Sequence, residues 1–280
     1  MPKNRSKQLL FYVLFLLSNA FPRIYESGGS WIFSYYYPWN NIGHPFMRMS
    51  NVPHHLVIQA CIMAAFYLFI AYRQGKKRKY LAGLAITAIL LSSMQPLQWA
   101  FVAGVLGISG SIIPTGIFFL SGLPFALYFR QFFSLPPYQY TITWENLQQI
   151  HIPFWHFIRI HGPLMILALI GLVPVIRKRN RSIFPLILYS IIATVLFFSP
   201  IPEKMHILNL RFFSVILTLT IAYISTDLIW SISRRTPGLA WFLAFLVIVI
   251  TIPVTARQLY ERTVFNRENI NTYLPIGALA

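Results

Sequence analysis

The sequence predicts an all-α fold, a polytopic integral membrane protein with about nine transmembrane helices. Hydrophobic residues make up 56% of the 280 positions, only 10% are charged, and the mean hydropathy is +0.60. A soluble domain carries about 25% charged residues, so this chain could not cover itself with a hydrated surface. The apolar runs are continuous rather than alternating, which favours helices over a barrel.

The predicted spans follow from the apolar runs in chain order. A span needs about 17–25 apolar residues, or fewer in short helices. The runs are Leu9–Phe21, Leu56–Tyr72, Leu81–Met94, Leu97–Phe129, Gly162–Ile176, Ile183–Phe198, Phe213–Trp230 and Gly238–Val254. The fourth run is interrupted by GISGSIIPTG (107–116), whose glycine, serine and proline predict a tight turn. That turn divides the run into two short spans, so nine are expected.

The basic residues predict the orientation, with the N-terminus inside and the C-terminus outside. The nine-span threading puts 14 of the 23 basic residues on the inner side: Lys3, Arg5, Lys7, Arg73, Lys76, Lys77, Arg78, Lys79, Arg177, Lys178, Arg179, Arg181, Arg234 and Arg235. The outer loops are longer and hold the other nine. This is the asymmetry of cytoplasmic loops. A single span over 97–129 would move RKRNR (177–181) outside and break it.

The predicted organisation is one transmembrane domain, residues 1–255, followed by an outer tail, 256–280. Its outer-face loops are 22–55, 130–161 and 199–212. The first run also fits a secretory signal peptide, because MPKNRSK and Gln8 precede nine apolar residues, Leu9–Leu17, and then Ser18, Asn19 and Ala20. Asp227, near the inner end of a span, is expected to pair with Arg234 or Arg235.

The predicted outer side collects most of the groups that could carry chemistry. It holds five of the six carboxylates and all seven histidines, His44, His54, His55, His151, His156, His161 and His206. Its loops are rich in Tyr, Trp, Phe and Pro. Such aromatics can simply anchor helices at the head groups. They can also line a cleft for a sugar or lipid, with arginine and histidine binding a phosphate.

We predict a lipid-phosphate site from five of these outer residues. His54 and His55 follow Pro53 where a helix begins, and a helix N-terminus attracts anions. Arg48 lies one short loop upstream. Arg211 precedes a later span in the same manner, and His161 completes the set. The alternative is that the two adjacent histidines only mark the membrane interface.

Other site classes are disfavoured. The basic residues form short clusters between apolar runs, not a groove interleaved with aromatics, so nucleic acid is not expected as a partner. Anionic membrane lipids are the expected contact. His151, His156 and His161 are five residues apart and would not share a helix face, so no metal site is predicted. Walker, GxSxG and HExxH motifs do not occur in the sequence.

Three segments resemble the GT-C superfamily of membrane glycosyltransferases: RKYLAGLAITAILLSSMQPLQW, HGPLMILALIGLVPVIRKRNR and FFSPIPEKMHILNLRFF. The resemblance covers residues 44 to 235 and concerns helix ends and loops. It implies a cell-membrane enzyme of the cell envelope that transfers a sugar from a polyprenyl-phosphate carrier at the outer face by an inverting mechanism. A divalent metal is open as cofactor, with no clear ligand set.

The resemblance also implies a carboxylate in the first outer loop that acts as the base or holds a metal. The first outer loop has Glu26 alone, without an acidic pair, and Glu145 stands beside aromatics and amides in TWENLQQIH, so Glu145 ranks first and Glu26 second. The matching patterns lie late in such proteins, so the chain is expected to be a piece of a longer protein or to have a partner membrane subunit. The alternative is a non-catalytic membrane protein, either a carrier of an amphipathic anion or a scaffold subunit.

Overall fold

The fold is helical, as the sequence predicts. A computed structural model describes residues 5–17, 20–27, 29–35, 53–132, 134–136, 149–177 and 182–273, with the backbone alone at 27, 31, 34–35, 53–54 and 261–273. Its helices are α1 (Arg5–Leu16), α2 (Pro53–Gly75), α3 (Arg78–Met94), α4 (Pro96–Ile108), α5 (Ile112–Phe132), α6 (Phe154–Arg177), α7 (Phe184–Phe198), the one-turn α8 (Ile201–Lys204), α9 (Val215–Ser233) and α10 (Pro237–Tyr273).

Five of these helices, α2, α5, α6, α9 and α10, are long and apolar enough to cross a membrane. Two shorter helices, α4 and α7, are also apolar. The described part of the chain therefore has a helix in each predicted apolar segment. The division of the fourth run is confirmed, since α4 ends at Ile108, α5 begins at Ile112, and Gly110 takes a φ of 80° in the turn between them.

One predicted loop contains strands, and two helix boundaries differ from the predicted runs. The loop 22–55 contains an antiparallel hairpin, β1 (Pro22–Ser27) and β2 (Ser30–Tyr35), because its alternating residues suit paired strands. α6 begins at Phe154 rather than at Gly162, so the end of the loop 130–161 is helical. α10 continues past Val254 to Tyr273, so most of the segment 256–280 that we predicted as a tail is helix.

Helix α9 is the centre of the bundle. It packs against α1, α2, α6, α7 and α10, and it is the most buried of the five long helices. Gly171 of α6 allows close approach, because a Cβ there would lie 2.9 Å from Cγ2 of Ile224. Ser225 Oγ also donates to Leu164 O at 2.9 Å. Helix association in membranes depends on such small residues and interhelical hydrogen bonds.

The outward faces of the peripheral helices are apolar. α5 has the smallest buried share of the five long helices, and its Leu120 is 65% exposed. On α10, Trp241 and Phe245 are 68% and 64% exposed. So many exposed large apolar side chains are unusual on a soluble monomer. The faces suit lipid contact and indicate a multi-pass membrane protein.

Contacts between distant segments define a basic end of the bundle. Arg73 Nη1 donates to Ser109 O at 3.4 Å, and Gln74 Nε2 donates to Ser182 Oγ at 2.9 Å. Lys7 Nζ lies 2.5 Å from Asp227 Oδ1. We call this part of the bundle the basic end. It comprises residues 5–7, 73–79, 109–111, 177, 182 and 234–235.

The partner of Asp227 differs from the prediction. Its ion pair is with Lys7, 220 residues away, and not with Arg234 or Arg235, which are both exposed. Lys7 reaches Asp227 because α1 packs directly on α9. Leu14 of α1 is fully buried in the core.

The opposite end of the bundle is rich in aromatics, and we call it the aromatic end. Phe21 N donates to Arg159 O at 2.9 Å, and the Arg257 guanidinium donates to Phe33 O, so the hairpin is attached to α6 and α10. The aromatic end comprises residues 20–35, 55–59, 149–161, 197–214 and 254–258. The predicted threading also places these segments on one side of the membrane. The number of crossings and their orientation stay predictions.

Candidate functional site

The segment before α9 is held at the aromatic end by the amide side chains of Asn209, which is buried, and Gln149, which is partly buried. Asn209 Nδ2 donates to Ile150 O at 2.7 Å, and Ile150 N donates to Asn209 Oδ1 at 3.2 Å. Gln149 Nε2 donates to Ile207 O at 2.7 Å, and its Oε1 accepts from Asn209 N at 3.1 Å. Two amides thus form a four-bond clasp between the loop that precedes α6 and the loop that precedes α9.

Arg211 is the predicted site residue that this clasp positions. It lies in a 3-10 turn, Asn209–Phe212, and is partly buried. At the other end of the turn, Tyr189 Oη donates to Phe212 O at 3.0 Å from the buried face of α7. The backbone on both sides of Arg211 is therefore anchored, which presents its guanidinium from a rigid support.

The sequence predicted that the N-terminus of α9, next to Arg211, would offer free N–H groups to an anion. In the structure these groups have partners within the protein. Val215 N donates to Gln59 Oε1 of α2 at 2.8 Å, and Ile216 N donates to Ser214 Oγ at 3.2 Å. Leu217 N donates to Ser214 O at 3.1 Å. The first three N–H groups of the helix are thus satisfied within the protein, so the prediction that they would dock an anion is wrong.

An aromatic cluster lies beside this turn. Phe157 is stacked on Phe213 with 5.5 Å between ring centroids, and Phe197 approaches Phe213 at 4.7 Å. His161 contacts Phe157 edge-on at 4.5 Å and is fully buried. His161 and the segment of Arg211 are therefore brought to one aromatic cluster, although they are far apart in the sequence.

Gly162 breaks α6 directly after His161. Its φ of 64° and ψ of −157° lie in a region that is essentially restricted to glycine. Pro163 follows and removes a helix N–H. His161 is thus the last residue before the kink, with the aromatic segment 154–161 on one side and the apolar remainder of α6 on the other.

The other predicted site residues have separate positions. His55 lies in the first turn of α2 and is partly buried, and His54 precedes it in the same turn, so the prediction that a helix begins at this histidine pair is confirmed. Glu26 is exposed on β1, opposite Trp31 in the hairpin register. Arg48 and Glu145 lie outside the described residues.

Sequence reasoning missed the residues that hold the site together. Gln59 is an amide inside an apolar run, one helical turn after His55, and Asn209 stands two residues before Arg211. An amide within or next to an apolar run could have indicated these contacts, because an amide without a hydrogen-bond partner is costly in hydrocarbon. Arg159, also not predicted, lies with its Cζ 3.3 Å from the ring centroid of Trp155.

The fold and this site define the class of protein: a multi-pass helical membrane protein with an aromatic end and a basic end. Within the described ranges, no group of three His, Cys, Asp or Glu side chains is placed to hold a metal ion. The chain has no significant match among protein-family models, curated proteins or solved structures.

Proposed function

We propose that this protein binds a polyprenyl-phosphate-linked sugar at its aromatic end and acts as a GT-C-like glycosyltransferase. The observation that carries the proposal is Arg211, held between the Asn209 clasp and the Tyr189 hydrogen bond beside a cluster of aromatic rings. A rigid guanidinium suits a phosphate, and rings suit a sugar face or an isoprenoid chain. His54, His55, His161 and Arg48 complete the proposed phosphate site.

The proposed chemistry uses an outer carboxylate as base. It removes the proton from the acceptor hydroxyl, whose oxygen attacks the anomeric carbon while the bond to the polyprenyl phosphate breaks. The electron pair of that bond leaves with the phosphate, where Arg211 would stabilise the charge. Glu145 is the preferred base, with Glu26 second. In the alternative, a non-catalytic lipid-anion carrier or scaffold, the exposed Glu26 has no catalytic role.

The binding test uses the purified full chain and a polyprenyl-phosphate sugar. Arg211→Ala and Arg48→Ala are each expected to weaken binding roughly ten- to a hundredfold, since charge-assisted contacts to a phosphate contribute ~1.5–3 kcal/mol. Lysine at either position should restore only part of the affinity, because it lacks the bidentate fork. Scintillation proximity with labelled lipid, alongside the melting temperature of each variant, gives the measurement.

Arg130→Ala is the matched control for that test. Arg130 is exposed at the C-terminal end of α5, so the same charge is removed without touching the clasped segment. Its affinity should equal that of the unchanged protein. Absence of polyprenyl-phosphate binding, or equal affinity after removal of both Arg48 and Arg211, would sink the lipid-phosphate proposal.

The proposed function also requires a definite threading: nine crossings, with the basic end in the cytoplasm and the aromatic end outside the cell membrane. The excess of Lys and Arg at the basic end supports this orientation. In a Cys61→Ser background, cysteine at Ser134 should react with an impermeant maleimide on intact cells, and cysteine at Ser182 should react only after the membrane is opened. Equal or reversed labelling would refute the threading.

A further inference from the structure

A cleft at the basic end has the properties of a second anion site, unrelated to the aromatic end. Its volume is about 310 Å³, and it is lined by Ile70, Arg73, Gln74, Lys76, Gly110, Ser111 and Ser182. Those residues come from the C-terminal turns of α2, the turn between α4 and α5, and the turn before α7. Three segments that are distant in the sequence therefore meet around one small space.

Two cationic side chains, Arg73 and Lys76, line the cleft. Their contacts are with a backbone carbonyl and with aromatic rings. Arg73 Nη1 reaches Ser109 O at 3.4 Å, and its guanidinium lies 5.7 Å from the ring centroid of Phe69. Lys76 Nζ lies 5.1 Å from the ring centroid of Tyr72. Within the described residues, neither Arg73 nor Lys76 forms an ion pair. Their charge is therefore available to a ligand.

The rest of the lining also suits a phosphate group. Ser111 directly precedes α5, a helix of 21 residues whose N-terminus carries partial positive charge. The hydrogen bond from Gln74 Nε2 to Ser182 Oγ, 2.9 Å long, ties α2 to the turn before α7 and so fixes one wall. Cations, a helix N-terminus and neutral donors converge, and the lining contains no carboxylate.

The backbone at Lys76 is a separate indication. Its φ is 53°, in the left-handed region, and its N–H donates to Tyr72 O at 2.7 Å, which closes the C-terminus of α2. Glycine is the usual residue at this position of a helix end, and any other residue costs free energy there. Lys76 lines the cleft from this strained position, and such strain tends to accompany functional residues.

We propose that the cleft at the basic end binds a phosphate group between Arg73 and Lys76. An anionic phospholipid head group and free inorganic phosphate are two sources of the same chemistry. The site is distinct from the proposed polyprenyl-phosphate site, because the two lie at opposite ends of the bundle.

The test measures the melting temperature of the full chain in an uncharged detergent during separate titrations with inorganic phosphate and short-chain phosphatidic acid. At least one ligand should raise the melting temperature. Lys76→Gln and Arg73→Gln should each weaken that response about tenfold in ligand concentration. A response to phosphatidic acid alone assigns a lipid head group, and a response to inorganic phosphate assigns the free ion.

Two controls make the result decisive. Lys79→Gln removes the same charge three residues away, outside the cleft lining, and should leave the titration unchanged. Lys76→Gly relieves the left-handed backbone, so it should lose binding without lowering the melting temperature of the ligand-free protein. The proposal is overturned if neither ligand shifts the melting temperature, or if Lys79→Gln weakens binding as much as Lys76→Gln. Arg211→Ala should not alter this titration, which separates it from the aromatic-end site.

Discussion

Lys7→Met is expected to lower the free energy of unfolding by about 3 kcal/mol, because it removes the cation that faces the Asp227 carboxylate. The two groups are 2.5 Å apart, and their side chains are only 13% and 14% exposed. An aspartate side chain is too short to carry its charge from a helix into the head groups, and charge in the apolar region is costly.

Asp227→Asn should cost less, about 1.5 kcal/mol, the contribution of one hydrogen bond to a charged group. Lys7 can then extend its long stem and place the ammonium among the head groups. The double variant Lys7→Met/Asp227→Leu removes both charges and should recover most of the loss, since replacing a buried ion pair by apolar groups is often neutral. The single variant Asp227→Leu completes a double-mutant cycle with Lys7→Met and the double variant, and that cycle isolates the interaction.

The measurement is unfolding of the purified protein by sodium dodecyl sulfate in mixed micelles. Arg5→Met is the matched control, because Arg5 is exposed on the same helix, and its effect should stay within about 0.5 kcal/mol. If the two single losses simply add in the double variant, Lys7 and Asp227 do not interact.

Gly122→Ala is expected to lower the free energy of unfolding by about 2–3 kcal/mol through overpacking between α4 and α5. A Cβ at Gly122 would lie 2.6 Å from Cε2 and 2.7 Å from Cδ1 of Trp99. Trp99 is 3% exposed, its Nε1 donates to Phe118 O at 3.1 Å, and its ring is stacked on Phe119 at 5.3 Å. Moving the indole would therefore disturb a buried hydrogen bond as well.

Gly116→Ala in the same helix is the control for that variant. A Cβ at Gly116 meets nothing within 4 Å, so the change should be neutral or stabilise α5 by up to about 1 kcal/mol. Both variants are unfolded under the same conditions, and near-ultraviolet circular dichroism reports on the tryptophan environment. Identical transitions for the two variants would show that Trp99 is not tightly packed against Gly122.

The site could be predicted only in part. The positions of His55 and Arg211 near helix starts follow from proline, charge and the beginning of apolar runs, which are local features. The internal capping of α9 by Gln59 and Ser214 was not predictable, because Gln59 comes from a helix 156 residues earlier. The clasp between Gln149 and Asn209 depends equally on how two loops meet.

The sequence by itself determined that the chain is helical and suited to lipid, where its helices lie, and that a turn divides the run around Gly110. Hydropathy and turn chemistry decide these features, although α6 begins eight residues before its apolar run and α10 continues 19 residues beyond its own. Only the tertiary structure decided that Asp227 pairs with Lys7 and that Arg73 and Lys76 line a cleft with Ser182. These contacts depend on which helices pack together. The hydrophobic effect is non-directional, so the pattern of apolar residues along the chain does not show which helices are neighbours.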